Sequence, residues 1–410
     1  MKHLKWDREM QKQNGLAMGT LDVVLTFSKN IFLFLFFWRT IMVKTVKWDI
    51  TWRCNLRCKH CGAIPYLEKV TGKEKLSTET IERILLDIKN NYFDEVDFLG
   101  GEPLLRNDFI QILKYTEEIG LDTSFSTNGT LLTKKVARQL AQITTLRNIA
   151  ISVYGGLKET HSMIVGKNSE SGVYKALSNI RKELNRKTKL SLNIVVTKYL
   201  IQEKARYIAS LADFYDTDVI YLLPLSKLGN ANTYWEELKI ESKDLINYTI
   251  DLINNLIDIN KKRRIASKNE IKLSLGTITP KLSLYILKNY GPLSFLVINK
   301  LNFVCPVIEN KRIYLTPEGY VYPCDPFHTF IKEIERELKK KIEPLTAAKV
   351  AIKDIIKSEY LNLLRDYFIE LKLKDIREEC KLCEFASACN SCPIILKYTQ
   401  TPIYCGEHYG

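Results

Sequence analysis

Ten cysteines are the residues of this sequence best suited to chemistry, because they fall into three groups instead of scattering. The groups are Cys54, Cys58 and Cys61, then Cys305 and Cys324, then Cys380, Cys383, Cys389, Cys392 and Cys405. A disulfide framework requires an oxidising compartment, yet the sequence shows no convincing secretion signal, and a chain of this length does not need covalent cross-links. Clustered cysteines therefore indicate bound metal, and we expect a cytoplasmic protein.

The first cysteine group directly follows the first strand of a predicted series of βα units. From Val46 to about Gly229, short β-rich runs alternate with amphipathic stretches, the pattern of a parallel sheet with crossover helices. The predicted strands are Val46–Thr51, Glu95–Leu99, Thr123–Thr127, Asn148–Val153, Leu190–Thr197 and Val219–Leu223. Six units favour an open, partial (β/α)6 TIM-like barrel over a closed barrel of eight, which needs about 250 residues. The predicted fold class is therefore α/β.

One predicted helix shows the quality of the pattern. Thr78 to Asn90 places four apolar residues on one face, and Ser77 with Thr78 supplies the N-cap. The four residues are Ile81, Ile84, Leu85 and Ile88. We expect this face to pack on the sheet.

Beyond the barrel the composition changes. Residues 231–302 are rich in Ile, Leu, Asn and Lys and are predicted to form a helical bridge. From Phe303 onward a β-hairpin is predicted, with Arg312 to Thr316 and Tyr320 to Tyr322 joined through Pro317-Glu318-Gly319. The predicted domains are an N-terminal extension over 1–44, the barrel over 45–230, the helical bridge over 231–302 and a cysteine-rich domain over 303–410.

The N-terminal extension contains an apolar run of eight residues, Ile31 to Trp38, bracketed by Lys29 and Arg39. A membrane-spanning helix needs about 20 predominantly apolar residues, so this run is too short to span. We interpret it as a docking helix or as sequence upstream of a translation start near Met42. An interfacial membrane anchor is the alternative, although membrane contact is not expected.

Length and composition exclude several classes of protein. The chain has 410 residues, 46% of them hydrophobic and 26% charged, which argues against a disordered or fibrous protein. A formal net charge of +14 favours acidic partners. The charge is spread thinly, and its densest run, Lys339 to Lys341, is typical of a solvated helix face. We expect no nucleic-acid partner.

The spacing of the first cysteine group narrows the choice of metal. Structural zinc sites use four protein ligands, usually in CxxC pairs, whereas Cys54, Cys58 and Cys61 give three thiolates in one tight loop. Three thiolates on a four-iron cluster leave one iron open to a substrate or cofactor. The alternative is a zinc knuckle with His60 as the fourth ligand.

The string from Cys54 to Cys61, CNLRCKHC, resembles the CxxxCxxC loop of the radical S-adenosylmethionine (SAM) enzymes. The resemblance implies a [4Fe-4S] cluster whose open iron chelates SAM. It also implies reductive cleavage of SAM to a 5′-deoxyadenosyl radical, which abstracts hydrogen from a substrate. In that family a ring between the last two cysteines lies near the adenine, a place that His60 occupies here.

Polar residues at the ends of later strands agree with this resemblance. Gly100-Gly101-Glu102-Pro103 is similar to the family element that hydrogen-bonds the methionyl ammonium. Glycines let a backbone approach a ligand, and a carboxylate offers a charged acceptor to a cation. Four further residues resemble contacts to the ribose, carboxylate or adenine of SAM, and they are Ser126, Asn128, Ser152 and Asn193. The alternative for the serines and Asn193 is a local hydrogen bond at a strand end.

The later cysteines resemble the SPASM extension, which carries two auxiliary iron–sulfur clusters in peptide-modifying relatives. That resemblance assigns Cys380, Cys383, Cys389 and Cys405 to one cluster and Cys305, Cys324 and Cys392 to the other. The chain departs from the family's spacing, because two residues instead of three separate Cys389 from Cys392. The second cluster would lack a fourth thiolate. A pair of structural zinc sites is the alternative for this domain.

Asp325 directly follows Cys324. In relatives that mature sulfatases, an aspartate at this place acts as a base toward a seryl or cysteinyl substrate. We predict the same catalytic role here, with a structural role as the alternative.

The predicted function is that of a radical SAM peptide maturase, which crosslinks, epimerises or forms a thioether in a ribosomally made peptide. Its expected partners are a peptide or protein substrate and a reductant such as flavodoxin or ferredoxin. The first alternative is an anaerobic sulfatase maturase, and a second acts on small molecules or tetrapyrroles. An alternative of another class is a non-catalytic metal protein that binds a partner.

Overall fold

A computed structural model of the protein describes residues 44–67, 74–166, 170–184, 187–275, 280–297, 305–374 and 392–399. These residues belong to the compact unit Val43–Gly410. The predictions for the N-terminal extension, and those for Cys380, Cys383, Cys389 and Cys405, lie outside the described residues.

Ten strands form one sheet, with the spatial order β10-β9-β1-β2-β3-β4-β5-β6-β7-β8. The strands are β1 (Thr45–Asp49), β2 (Glu95–Leu99), β3 (Asp122–Thr127), β4 (Leu146–Ser152), β5 (Lys189–Val196), β6 (Val219–Pro224), β7 (Lys272–Leu275), β8 (Leu296–Val297), β9 (Arg312–Leu315) and β10 (Val321–Tyr322). All neighbours pair parallel except β9 with β10. The predicted open, partial barrel of six βα units is confirmed in β1 to β6.

Helices follow the barrel strands and cover one face of the sheet. The helices of the barrel are α1 (Ile64–Leu67), α2 (Thr78–Asn90), α3 (Phe109–Glu118), α4 (Lys134–Leu140), α5 (Lys158–Val165), α6 (Glu170–Glu183), α7 (Lys198–Gln202) and α8 (Arg206–Phe214). Helix α2 has the bounds that the sequence predicts, and its predicted apolar face is buried. Ser77 caps it by accepting a hydrogen bond from Thr80 N at 3.3 Å.

The predicted bridge is not purely helical. Helices α9 (Asn230–Thr233), α10 (Trp235–Leu238), α11 (Ser242–Ile265) and α12 (Pro280–Tyr290) alternate there with β7 and β8. The two strands extend the sheet beyond β6 by parallel pairing. With four and two residues, these strands are too short to show a period-2 pattern, and no strand was predicted there.

The hairpin predicted after Phe303 is present as β9 and β10, and β9 pairs with β1. It is followed by α13 (Asp325–Thr329), α14 (Ile331–Leu338), α15 (Ile352–Lys357), α16 (Glu359–Lys374) and α17 (Pro393–Tyr398). No helix in the described part of the chain combines the length and apolar character that crossing a membrane demands.

The two faces of the sheet differ in polarity. Val46, Trp48, Val96 and Phe98 are buried in the main core with the helices. The alternate residues form a polar row in register across neighbouring strands, namely Lys47, Asp97, Ser124 and Asn148. The inner face of the open barrel is therefore polar, and the carboxyl ends of its strands meet at one rim.

Candidate active site at the carboxyl ends of the strands

The loop after β1 carries Cys54, Cys58 and Cys61, all three half-buried. Arg57 Nη1 donates to Cys54 O at 2.9 Å, and Cys61 N donates to Cys58 O at 3.2 Å. Burial raises the pKa of each thiol. Nearby cysteines add to the rise for two of them, since Cys61 and Cys54 raise the pKa of Cys58 and Cys54 raises that of Cys61. A thiolate here needs positive charge beside it, which bound iron supplies.

The turn that follows β6 forms hydrogen bonds with the backbone of the cysteine loop. Asn230 N donates to Cys61 O at 2.9 Å, and Asn230 Nδ2 donates to Cys58 O at 3.2 Å. Gly229 has φ +51°, and a Cβ there would lie 2.6 Å from Cys61 O. This turn therefore holds the backbone of the cysteine loop.

Lys59 ties the same loop to the bridge. Its backbone N donates to Ile164 O at 2.9 Å, and its ammonium forms an ion pair with Glu237. The rings of Tyr199 and Tyr234 each lie 5.4 Å from the ammonium nitrogen. The sequence alone gave no signal for this clamp, because its members come from four separate elements.

The Gly100-Gly101-Glu102 turn after β2 packs directly on the cysteine loop. Gly101 N donates to Thr51 O at 2.7 Å, and Glu102 N donates to Arg53 O at 2.7 Å. A Cβ on Gly100 would lie 2.3 Å from Thr51 O, and one on Gly101 would lie 2.1 Å from Arg53 O. The missing side chains therefore let this turn approach the backbone of the cysteine loop closely, and the contact of these glycines with SAM stays a prediction.

Glu102 is fully buried, and protein donors surround its carboxylate. It accepts from Leu104 N at 3.1 Å, Thr127 Oγ1 at 2.7 Å and Asn128 N at 2.7 Å. Burial raises the pKa of this carboxyl to about 7, and the hydrogen bonds oppose that shift. The carboxylate therefore joins the glycine turn to the end of β3 instead of standing free for a cation. The place of Glu102 in a cofactor site stays a prediction.

The remaining predicted strand-end residues lie on adjacent strands. Asn193 Nδ2 donates to Ser126 Oγ at 3.2 Å, and Ser152 is the register partner of Asn193. Asn128 Nδ2 donates to Asn55 Oδ1 at 2.9 Å, which links the end of β3 to the cysteine loop. The structure thus brings these residues to one rim, while their contacts to SAM stay predictions.

His60 packs its ring against Tyr154, with the ring centroids 4.3 Å apart. Its Nδ1 is buried without a hydrogen-bond partner among the described residues. Burial lowers the pKa of His60 to about 4, so the ring is neutral at pH 7. Sequence reasoning did not place Tyr154 in the site, although the two glycines that follow it were a signal of a tight turn.

The donor set fits an iron–sulfur cluster. Each cysteine of a four-iron cluster binds a different iron, so its thiols surround a cluster instead of pointing at one ion. Within the described residues, no three His, Cys, Asp or Glu side chains are placed to hold a single metal ion. His60, the fourth ligand of the alternative zinc site, packs on Tyr154 instead.

A second cysteine group forms in the C-terminal region, where Cys305, Cys324 and Cys392 pack into one apolar cluster. The pKa of the Cys324 thiol is raised, chiefly by burial. Asp325, Cys392 and Cys305 also raise it, so these three residues lie near Cys324. Arg312 opposes the rise. The three thiols that the resemblance assigns to one auxiliary cluster are thus neighbours, and the cluster itself stays a prediction.

Asp325 is the first residue of α13, beside this second group. Asp325 is an exposed residue. The protein around its carboxyl nevertheless removes enough water to raise the pKa of that group. Asp325 also raises the pKa of Asp49, at the end of β1. The predicted base therefore lies at the inner wall of the barrel, and its catalytic role stays a prediction.

An aromatic cluster lies between the two cysteine groups. The ring of His328 lies 4.7 Å from Tyr66, 5.2 Å from Tyr322, 5.8 Å from Trp52 and 5.9 Å from Tyr314. Trp52 and Tyr66 pack with Cys54 and Cys61, and Tyr314 and Tyr322 pack with Cys324. His328 therefore joins the two regions, a contact that sequence spacing could not reveal.

Comparison with known families decides the nature of the barrel. Residues 48–211 match the Radical SAM superfamily, a span that contains the end of β1, the cysteine loop and strands β2 to β5. The barrel is a radical SAM domain. Members of this superfamily use SAM and a [4Fe-4S] cluster, and the three thiols of the radical SAM domain fit that cluster.

Curated relatives match over about half of the chain. The Fe-coproporphyrin III synthase of Methanosarcina barkeri is 29% identical over 211 residues, which cover 49% of this chain and 50% of that protein. The mycofactocin maturase MftC of Mycobacterium ulcerans is 29% identical over 194 residues, which cover 47% of this chain and 50% of that protein. The chain thus spans about half the length of the curated relatives it matches.

Similarity in fold extends further along the chain. The crystal structure of Streptococcus suis SuiB bound to SAM has a TM-score of 0.63 at 16% identity, and the match covers 96% of this chain and 88% of SuiB. The structure of anSMEcpe with bound SAM and a peptide has a TM-score of 0.57 at 19% identity, covering 84% of this chain and 87% of that chain. The radical SAM domain and the C-terminal region therefore share an architecture with these enzymes.

Proposed function

We propose that the protein is a radical SAM peptide maturase, which uses a 5′-deoxyadenosyl radical to abstract hydrogen from a residue of a ribosomally made peptide. The observation that carries this proposal is the cysteine loop of the radical SAM domain. Its three thiols stand together at the strand ends, and Asn230, Gly101 and Glu102 fix its backbone from both sides. When bound, the cluster and SAM supply the electron and the radical.

The residues of the chain would take the following roles. Cys54, Cys58 and Cys61 would hold the [4Fe-4S] cluster that binds SAM. Ser126, Ser152, Asn193 and Asn128 would position SAM, with the ring of His60 beside the adenine. The C-terminal cysteines would hold two auxiliary clusters, and a flavodoxin or ferredoxin would deliver the reducing electron. These roles put every predicted polar residue at one rim of the barrel.

Asp325 would act as the base that deprotonates the reacting group of the substrate. Its position supports this role, because the carboxylate is open to solvent at the inner wall and lies beside the second cysteine group. Arg312 and Lys47 provide the nearby positive charge that lowers its pKa against burial. An ionised carboxylate is what a base requires.

A peptide is the favoured substrate because the C-terminal region takes part in the similarity of fold. SuiB has also been solved with its precursor peptide SuiA, over a match that covers 89% of this chain. The Fe-coproporphyrin III synthase matches over 49% of this chain, so a tetrapyrrole substrate is the second candidate. The sulfatase-maturase alternative is supported by the fold shared with anSMEcpe.

The first test is the metal content of the full chain after anaerobic reconstitution. About twelve irons and as many labile sulfides per chain are expected for three four-iron clusters. About four irons would keep the radical chemistry and overturn the auxiliary clusters. Zinc without iron would overturn the enzyme itself and favour the non-catalytic metal protein.

The second test gives the reconstituted protein SAM, a reductant and a candidate substrate. The probes are a short peptide encoded beside the gene and, in parallel, iron coproporphyrin III, with products analysed by mass spectrometry. A peptide that loses two hydrogens, or takes up deuterium from heavy water without other change, supports the proposal. Conversion of a cysteine or serine to formylglycine supports the sulfatase maturase, and decarboxylation of the tetrapyrrole alone overturns the peptide substrate.

A further inference from the structure

Tyr154 lies in the candidate site, beside the ring of His60. It stands two residues after the end of β4 and is only 8% exposed. Its ring lies 4.3 Å from that of His60, and Tyr154 packs with Cys58. Burial raises the pKa of Tyr154, and so do the three cysteines of the loop, which therefore lie close to it.

The position of Tyr154 is fixed from behind by His161. Tyr154 N donates to His161 Nδ1 at 3.2 Å, and the two rings stack with centroids 5.6 Å apart at 25°. Because Nδ1 accepts this hydrogen bond, it carries no proton of its own. His161 is 1% exposed, so the support is part of the core of the domain.

The turn after Tyr154 is equally constrained. A Cβ on Gly155 would lie 2.5 Å from Thr160 Cβ, and one on Gly156 would lie 2.5 Å from the carbonyl carbon of Tyr207. Gly156 N donates to Glu203 Oε1 at 2.6 Å. The two glycines and Glu203 therefore press the turn against α5 and α8, and Tyr154 has little freedom to move.

We propose that Tyr154 is a positioning residue that aligns the ring of His60 for SAM, with His161 as its support. The inference rests on the proposed use of SAM by this domain. The rigid ring of Tyr154 contacts the ring predicted to lie beside the adenine, so it sets the orientation of His60 before the ligand arrives. Such preorganisation strengthens binding because no ordering of the His60 ring remains to be done.

The test measures the affinity of the full reconstituted protein for SAM by equilibrium dialysis. It also records the change that SAM causes in the electron paramagnetic resonance spectrum of the reduced cluster. Tyr154→Phe keeps the ring and is expected to bind SAM within about twofold of the parent. Tyr154→Leu removes the ring that packs on His60 and is expected to weaken SAM binding about tenfold. Tyr92→Phe is the matched control, because Tyr92 is 86% exposed.

The support from His161 has its own pair of variants. His161→Asn keeps an acceptor near the Tyr154 amide and is expected to bind SAM nearly as the parent does. His161→Leu removes that acceptor and is expected to weaken SAM binding about fivefold. Iron content is measured in every variant, so that a loss of cluster is not counted as a loss of SAM affinity.

SAM affinity of Tyr154→Leu within twofold of the Tyr92→Phe control, with full iron content, would overturn the inference. If Tyr154→Leu does not load iron, His161→Leu decides by the same criterion, because it loosens the support of the Tyr154 ring without removing that ring. A parent protein that loads iron but binds no SAM would instead overturn the proposed function. The two failures are therefore distinguishable.

Discussion

The two cysteine groups are built in different ways. In the first, three thiols come from a span of eight residues, and backbone hydrogen bonds from the glycine turn and Asn230 fix the loop. In the second, Cys305, Cys324 and Cys392 come from distant parts of the chain and meet through the packing of side chains such as Phe327 and Phe368. A loop held by close backbone hydrogen bonds is disrupted by a single added methyl group. A site held by the packing of buried side chains depends instead on the stability of that core.

The largest expected effect is that of Gly101→Ala, which should disrupt the first cysteine group but not the second. In Gly101→Ala the new Cβ would lie 2.1 Å from Arg53 O, a backbone atom that cannot move without the loop. We expect iron per chain to fall by about one cluster of four and SAM cleavage to fall by more than about a hundredfold. Iron analysis and quantification of 5′-deoxyadenosine check this.

Gly62→Ala is the matched control, because it lies in the same loop and its Cβ would meet only Leu228 Cβ at 3.4 Å. It should keep its iron and its activity. Equal losses in Gly62→Ala and Gly101→Ala would contradict a backbone-specific role for the glycine turn.

The second prediction concerns the second cysteine group, which the packing of side chains holds together. Phe368 is 1% exposed, and its ring lies 6.0 Å from that of Phe327. Phe368→Ala should cost about 3 to 5 kcal/mol of local stability through the cavity that it leaves. We expect loss of C-terminal iron while SAM cleavage in the radical SAM domain persists, as measured by iron content, thermal melting and 5′-deoxyadenosine formation.

Phe214→Ala is the control for this change, since Phe214 is 81% exposed and should leave both regions intact. If Phe368→Ala keeps the first cluster but loses SAM cleavage, the radical SAM domain depends on the second cysteine group. That result would contradict the separation of the two groups.

The smallest effect concerns Asp49, at the seam between β1 and β9. Its carboxyl accepts a hydrogen bond from Tyr314 at 2.5 Å, and burial raises its pKa from 3.8 to about 7, with Asp325 and Asp97 adding to the rise and Lys47 opposing it. Between these two pKa values the folded state holds a proton that the unfolded state has released. Stability must therefore fall as pH rises from about 4 to 7.

Asp49→Asn removes this titration, so the stability of the variant should decline less over that window, by about 1 to 3 kcal/mol. Denaturant unfolding of the metal-free chain at several pH values measures the difference. Parallel pH profiles for the parent and Asp49→Asn would show that Asp49 does not titrate with the shifted pKa.

The sequence predicted what is local. The first cysteine loop, helix α2, the hairpin of β9 and β10 and the strands of the radical SAM domain all have short-range patterns, and each appears within a few residues of its predicted bounds. Gly101 shows the limit even there, because its motif was recognised but the partner of its backbone was not.

The structural features that were not predicted from the sequence depend on tertiary contacts. The short strands β7 and β8 are set by pairing with β6, and the clamp on Lys59 joins elements far apart in the chain. The ring contacts of Tyr154 with His60 and His161 join three separate parts of the chain. No period or spacing encodes such encounters.

The most direct test of the central claim is the formation of 5′-deoxyadenosine by the reconstituted, reduced protein and by its Cys58→Ala variant. If Cys54, Cys58 and Cys61 form the site of SAM cleavage, the parent will yield 5′-deoxyadenosine and methionine in equal amounts, and the variant will yield neither above background. A parent with full iron content that cleaves no SAM, or a Cys58→Ala variant as active as the parent, would contradict the claim.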